Sequence, residues 1–148
     1  MWDLRTSAIS NTLSGHTDTI TSLRLSPSGT HLLSSGMDST SRIWDLRPYI
    51  AATGSSSRLV KTLLGAPHGY EKNLIKSCWS PDAAFVASGS ADRSVIVWRV
   101  EDGNVVYKLP GHKGCVNEVD WHPKEPVCAY FGVLFHALFV DKLVSGNS

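Results

Sequence analysis

The sequence predicts an all-β fold built from repeats, and three observations predict it. First, a unit recurs: Gly15-His16, Ser34, Asp38 and Trp44-Asp45 form one copy, and His68, Ser88, Asp92 and Trp98-Arg99 a second. In both copies the Ser precedes the Asp by four positions and the Trp follows it by six; a third copy opens at Gly111-His112 and stops matching after about Pro126. Second, short alternating stretches lie between Pro, Gly and Asp turns, as in antiparallel strands, and no stretch has helical periodicity. Third, a unit of this length cannot bury its own apolar face and must stack on neighbours. The expected function is therefore binding rather than chemistry.

Met1 to Arg5 reads as the end of a repeat, because Trp2-Asp3-Leu4-Arg5 matches Trp44-Asp45-Leu46-Arg47 residue for residue. The chain thus opens where a strand should be finishing, which predicts an array cut short. Thr19 to Leu25 alternates and is the first full strand, with Ile20 and Leu23 or Leu25 as candidate core residues. Ser26-Pro27-Ser28-Gly29 is a turn, since Pro presets one backbone angle and Gly tolerates the reversed one. His31 to Ser35 is the next strand, Gly36 to Ser39 turns tightly, and Ser41 to Leu46 returns. Pro48 to Arg58 (PYIAATGSSSR) is rich in Ala, Gly and Ser and reads as a surface spacer.

The second copy repeats the order. Leu74 to Trp79 is a strand, Ser80-Pro81-Asp82-Ala83 a turn, Phe85 to Ser88 a strand, Ser90 to Arg93 a turn, and Val95 to Val100 a strand. Glu101-Asp102-Gly103-Asn104 is a hairpin signal leading into Val105 to Leu109. The repeats run over about 12–46, 59–99 and, in part, 105–126, within one segment, 1–126. Residues 127–148 form a divergent apolar tail, in which Leu134 stands where the turn Asp belongs and Val140-Asp141 meets the Trp-Asp position by coincidence.

A net charge of +1 and a pI near 7.8 give no strong attraction to nucleic acid or membrane. Lys61, Arg93, Arg99 and Lys108, with Tyr70 for stacking, are the candidates for RNA contact. They form no run and read as solvated rim charges, so direct RNA contact is not expected. Cys78, Cys115 and Cys128 are odd in number and far apart, which predicts neither a disulfide framework nor a zinc site and fits a reducing compartment. The N-terminus has no charged lead before an apolar run, so no secretory signal is read. Val127 to Val140 is apolar except for His136, but too short for the roughly 20 residues that span a bilayer.

His16, Ser34 and Asp38 have the residue types of a nucleophilic triad. The set recurs as His68, Ser88 and Asp92, each copy adds a Trp at a fixed offset, and no G-x-S-x-G elbow is present. A structural reading is more economical: the Asp accepts from the His, the His reaches the Ser, and the Ser meets the indole N–H. A satisfied buried network of this kind fixes one packing. Neither enzyme activity, nor a cofactor, nor a metal is expected.

The Gly-His, Ser, Asp and Trp-Asp pattern resembles that of the WD-repeat (WD40) family of β-propellers over about residues 2–126. The resemblance implies a WD40-type β-propeller fragment of about three four-stranded antiparallel blades. A blade takes about 40–45 residues and rings typically have about four to eight blades, so the ring is not expected to close. It also implies two internal networks, His16, Ser34, Asp38 and Trp44 in one blade and His68, Ser88, Asp92 and Trp98 in the next. In the second, Gly65-Ala66-Pro67 precedes the His and the spacing to Asp92 is two longer.

Three stretches resemble the spliceosomal branch of this family: Trp44 to Tyr49, His68 to Leu74 (HGYEKNL) with Trp79 to Asp82, and Lys108 to Val119 (KLPGHKGCVNEV) with His122-Pro123. That resemblance implies a non-enzymatic nuclear scaffold in pre-mRNA splicing, with splicing-particle subunits as protein partners. An alternative is a substrate receptor of a cullin-based ubiquitin ligase, some of which present Trp-Asp-x-Arg to the ligase adaptor. Arg5 and Arg47 are then the partner-binding residues. Open blades expose apolar faces and unpaired strand edges, so the chain alone is expected to be marginally stable unless it oligomerises.

Overall fold

The computed structural model describes residues 1–48, 58–71, 73–124 and 128–132, together with the backbone of 138–140. A short hairpin comes first, β1 (Trp2–Asp3) with β2 (Ala8–Ile9). The first full blade is the antiparallel meander β3 (Ile20–Leu25), β4 (His31–Gly36), β5 (Thr40–Asp45) and β6 (Leu59–Leu64). The second is β7 (Ser77–Trp79), β8 (Phe85–Gly89), β9 (Ser94–Arg99) and β10 (Val105–Pro110). A third sheet holds β11 (Val116–Trp121), β12 (Cys128–Gly132) and β13 (Leu138–Val140). Consecutive strands pair, so short turns set the register throughout. The sheets do not close into a ring.

The turns are where the sequence reading places them. Gly29 adopts φ 72° and donates its N–H to the Ser26 carbonyl at 2.9 Å. Ala83 takes the same place in the second blade, with φ 59° and the same bond to Ser80 at 2.9 Å. A side chain in this left-handed region is strained, and Ala83 bears that strain where Gly29 does not.

Stacking buries the apolar faces. β9 lies in the middle and contributes to two cores. Ile96 and Trp98 pack with Leu33, Ile43, Leu63, Trp79 and Val86 between the two blades. Val95 and Val97 face the other way, onto Cys78, Ala87, Val116, Val119, Cys128 and Tyr130. The two-residue period of a strand makes this possible, since successive side chains point to opposite faces.

Three expectations are corrected. Ile20, Leu23 and Leu25 are not core residues. Leu23 is 57% exposed, while Ser77 and Val119, which pair in register with the equivalent positions of β8 and β12, are 0% and 2% exposed. Leu25 is 56% exposed against 9% for Trp79. The cause is position: β7 and β11 have a sheet stacked before them, and among the described residues β3 carries no such cover. The strand expected over Leu74 to Trp79 shrinks to Ser77–Trp79. Ile75 donates to the Asn73 carbonyl at 2.9 Å and Lys76 to the Asn117 carbonyl of the next sheet at 2.7 Å, so these amides leave the ladder. Finally, the third repeat does not stop at 126: Cys128–Gly132 pairs with β11 from Trp121↔Cys128 to Val116↔Gly132, and β13 pairs with β12 in turn. Most of the spacer 48–58, and Leu134, His136 and Asp141 of the tail, lie outside the described residues.

Candidate functional site

The first blade carries a closed polar chain. Tight turning after Gly36 brings Asp38 under His16, and pairing of β4 with β5 sets Ser34 beside Trp44. His16 Nδ1 is 2.9 Å from Asp38 Oδ2, and its Nε2 is 2.7 Å from Ser34 Oγ. The Trp44 indole N–H donates to the same Ser34 oxygen at 2.8 Å. Asp38 accepts further from the Thr40 hydroxyl at 2.8 Å and from the Thr40 and Thr17 amides. Burial works against the Asp38 charge, but the bonds from Thr40 and His16 prevail and hold its carboxyl at about 2.

The donors and acceptors can all be matched. An ionised Asp38 only accepts, so Nδ1 donates to it; indole only donates, so Ser34 accepts from Trp44. With the ring's single proton on Nδ1, Nε2 accepts the Ser34 hydroxyl proton and every group is satisfied. Ser34 is 2% exposed with its hydroxyl engaged on both sides. This arrangement orders two strands and a loop.

The second quartet is not joined in this way, which corrects the expectation. Trp98 donates its indole N–H to the Leu64 carbonyl of the first blade at 2.7 Å, and Ser88 donates to the Gly89 carbonyl at 3.1 Å. His68 Nδ1 is buried with no hydrogen-bond partner among the described residues. Asp92 is held instead by Ser94 and Lys108. Burial again opposes its charge, and the Lys108 and Ser94 bonds still bring its carboxyl to about 2. The longer approach through Gly65-Ala66-Pro67 turns the His68 backbone towards the first blade, where its amide donates to Ser39 Oγ at 3.0 Å.

In the third sheet the register position of Ser34 and Ser88 is held by Tyr130, since Leu23↔Ser34, Ser77↔Ser88 and Val119↔Tyr130 pair alike. His112 meets Tyr130 edge-on, with ring centroids 4.9 Å apart. An aromatic contact thus stands where the first blade has a polar one. The sequence reading missed it because the fixed-offset Ser was the only signal sought.

A polar seam ties the blades together near their innermost strands. Thr21 donates to the Ile75 carbonyl at 2.9 Å, Ser35 Oγ is 2.8 Å from Ser77 Oγ, and the Trp79 indole donates to the Arg24 carbonyl at 3.1 Å. Lys76 and Glu118 pair across the next junction at 2.9 Å.

This combination of stacked antiparallel sheets, inter-sheet seams and a His-Ser-Asp-Trp chain matches one known pattern. The family model described as WD domain, G-beta repeat, matches residues 8–45, 57–99 and 103–146. The chain belongs to the WD-repeat family. Among similar proteins, the U5 small nuclear ribonucleoprotein 40 kDa protein of Homo sapiens is 47% identical over 116 residues, covering 78% of this chain and 31% of that protein. The pre-mRNA-splicing factor cwf17 of Schizosaccharomyces pombe is 45% identical over 127 residues, covering 86% of this chain and 36% of that protein. Autophagy-related protein 16 of Arabidopsis thaliana is 35% identical over 106 residues, 72% of this chain and 19% of that protein. The chain thus spans about a third of the length of the first two of these relatives.

The WD-repeat pattern also gives the two partner-binding candidates a common setting. Asp3 accepts the Arg5 amide at 2.9 Å, and Asp45 accepts the Arg47 amide at 2.9 Å, so each Asp-x-Arg closes the same small turn. Arg47 folds its guanidinium onto the Asp45 carboxylate, with Nε 2.9 Å from Oδ2. That side-chain bond is the largest cause lowering the Asp45 carboxyl, and it raises the Arg47 pKa in return. Arg5 is exposed. The cysteines are all free and buried, and burial raises the pKa of each thiol. Among the described residues no group of His, Cys, Asp and Glu is arranged to hold a metal ion.

Proposed function

We propose that this chain is a non-enzymatic protein-interaction scaffold of the pre-mRNA splicing machinery, acting in the nucleus. One observation carries the reading. The human U5 small nuclear ribonucleoprotein 40 kDa protein and the fission-yeast pre-mRNA-splicing factor cwf17 match more than three quarters of the chain at 47% and 45% identity. A non-enzymatic role is supported by the first-blade network, where the Ser34 hydroxyl is buried and already engaged on both sides.

Its partners are proteins, probed through loops and blade edges. Three of the four cations considered for RNA are engaged within the chain: Lys61 with the Glu101 carbonyl, Lys108 with Asp92, and Arg99 with Asp102 at 3.6 Å. The test is affinity purification of the tagged chain from nuclear extract, with and without ribonuclease, followed by mass spectrometry. Splicing-particle proteins that persist after ribonuclease are the expected result. Their absence, with only chaperones recovered, would remove the splicing assignment.

A further inference from the structure

Where the first and second blades meet at one loop end, a cavity of about 410 Å³ opens between Asp18, Met37, His68, Gly69 and Tyr70. Its size lies within the roughly 300–1,000 Å³ typical of ligand sites. The lining combines three chemistries. Asp18 brings an exposed carboxylate, Tyr70 a fully exposed aromatic ring, and Met37 a polarisable thioether. No cation lines it among the described residues.

We infer that this cavity is a docking pocket for an arginine side chain of a partner protein. The inference rests on the reading of the chain as a protein-binding scaffold and names the chemistry of one contact. A guanidinium is planar and forked, so it can pair with a carboxylate and stack on an aromatic face in one pose. Asp18 supplies the carboxylate and Tyr70 the face. A carboxylate at the rim disfavours anionic ligands such as phosphate groups and acidic peptides. Asp38 and Asp18 both act electrostatically on the His68 ring. Burial lowers the His68 pKa against their pull, and a neutral imidazole adds no repulsion to an incoming cation. Lysine fits less well, because a compact, strongly hydrated ammonium gains less from the ring and from a fork-shaped acceptor.

Among the described residues Tyr70 has no packing role that would explain its place. It is a large aromatic side chain held entirely in solvent, and exposed aromatic rings beside a carboxylate suit cation binding.

The experiment is a nuclear magnetic resonance titration of the isotope-labelled full chain with N-acetyl-arginine amide. N-acetyl-lysine amide and N-acetyl-norleucine amide serve as comparison probes. The expected result is saturable shifts at Asp18, Met37 and Gly69 with the arginine probe, weaker ones with lysine, and none with norleucine. Asp18→Asn keeps the acceptor for the Thr19 amide, now 2.7 Å from Asp18 Oδ1, so the loop keeps its shape. That variant should bind about tenfold more weakly, as a lost charge-assisted hydrogen bond requires. Tyr70→Ala should weaken binding too, while Tyr70→Phe retains it. No saturable shift, an equal response to norleucine, or no change in Asp18→Asn overturns the pocket. Failure of the probe while splicing proteins still co-purify removes the pocket alone. Arginine binding without any splicing protein in the eluate keeps the pocket and removes the splicing assignment.

Discussion

Trp44 donates its indole N–H to Ser34 Oγ at 2.8 Å, and both side chains are buried. Ser34 also meets His16 Nε2 at 2.7 Å, so one hydroxyl ties a strand to its neighbour and to the loop before the blade. Removing that oxygen strands two buried groups. Ser34→Ala is expected to lose about 2–6 kcal/mol, since each of the two orphaned polar groups costs about 1–3 kcal/mol. Ser88→Ala should lose less than about 1 kcal/mol, because among the described residues the Ser88 hydroxyl bonds only to the neighbouring Gly89 carbonyl. Urea unfolding midpoints of the two variants check the difference, and equal losses would mean that the first-blade network has no special role.

Asp38 predicts an acid response. Its folded value of about 2 lies below the ordinary 3.8. The stability it contributes is therefore present above pH 3.8 and is lost as pH falls through that window towards 2. Asp38→Asn should flatten the dependence of the unfolding midpoint over this window. Asp92 has the same window, but its partner Lys108 is 59% exposed in its side chain. High salt should therefore weaken the Asp92 effect and spare the Asp38 effect. Midpoints measured from pH 2 to 5 at low and high salt separate the two.

Ala83 is a site of relief. It holds φ 59° in the turn that Gly29 occupies at φ 72°. Ala83→Gly should stabilise the chain by about 1 kcal/mol, the order of the penalty for a side chain in that region. Gly29→Ala should destabilise by a similar amount. Thermal melts of both variants test the pair, and a loss on Ala83→Gly would show that its methyl contact outweighs the strain.

Leu23 and Leu25 present an uncovered apolar face on β3. The chain alone is expected to self-associate through it, and Leu23→Lys with Leu25→Lys should lower the apparent mass in sedimentation equilibrium. A sharp cooperative melt of a strictly monomeric wild-type chain would count against this.

Cys78 and Cys128 belong to one core between β7, β8, β9 and the third sheet. Separation of that sheet exposes both thiols in one event. Native-state labelling should modify them at a common rate, and Val119→Asp should raise that rate about tenfold or more by placing a charge in the shared core. Distinct rates would show that the sheet opens in parts.

Much of this architecture is legible in the sequence, for identifiable reasons. Ser-Pro turns and alternating runs mark β3, β4, β5, β8, β9 and β10 within one or two residues. The Gly15-His16 to Trp44 offsets mark the first network because the register of β4 with β5 converts spacing directly into contact. Three things were not legible. Alternation identifies a face but not whether anything covers it, so Leu23 reads as core. Spacing does not reveal that a main-chain carbonyl competes for an indole, so Trp98 is assigned to Ser88 rather than Leu64. A missing Asp hides the strand Cys128–Gly132, although backbone pairing does not depend on that residue.

β9 gives the chain a property that a row of separate blades would lack. Ile96 and Val97 are neighbours in sequence, yet each is enclosed by a different set of residues. Neither enclosure can form while this strand is disordered, and neither can dissolve without loosening the other through the backbone they share. Loss of order in residues 94–98 would therefore open both enclosures at once.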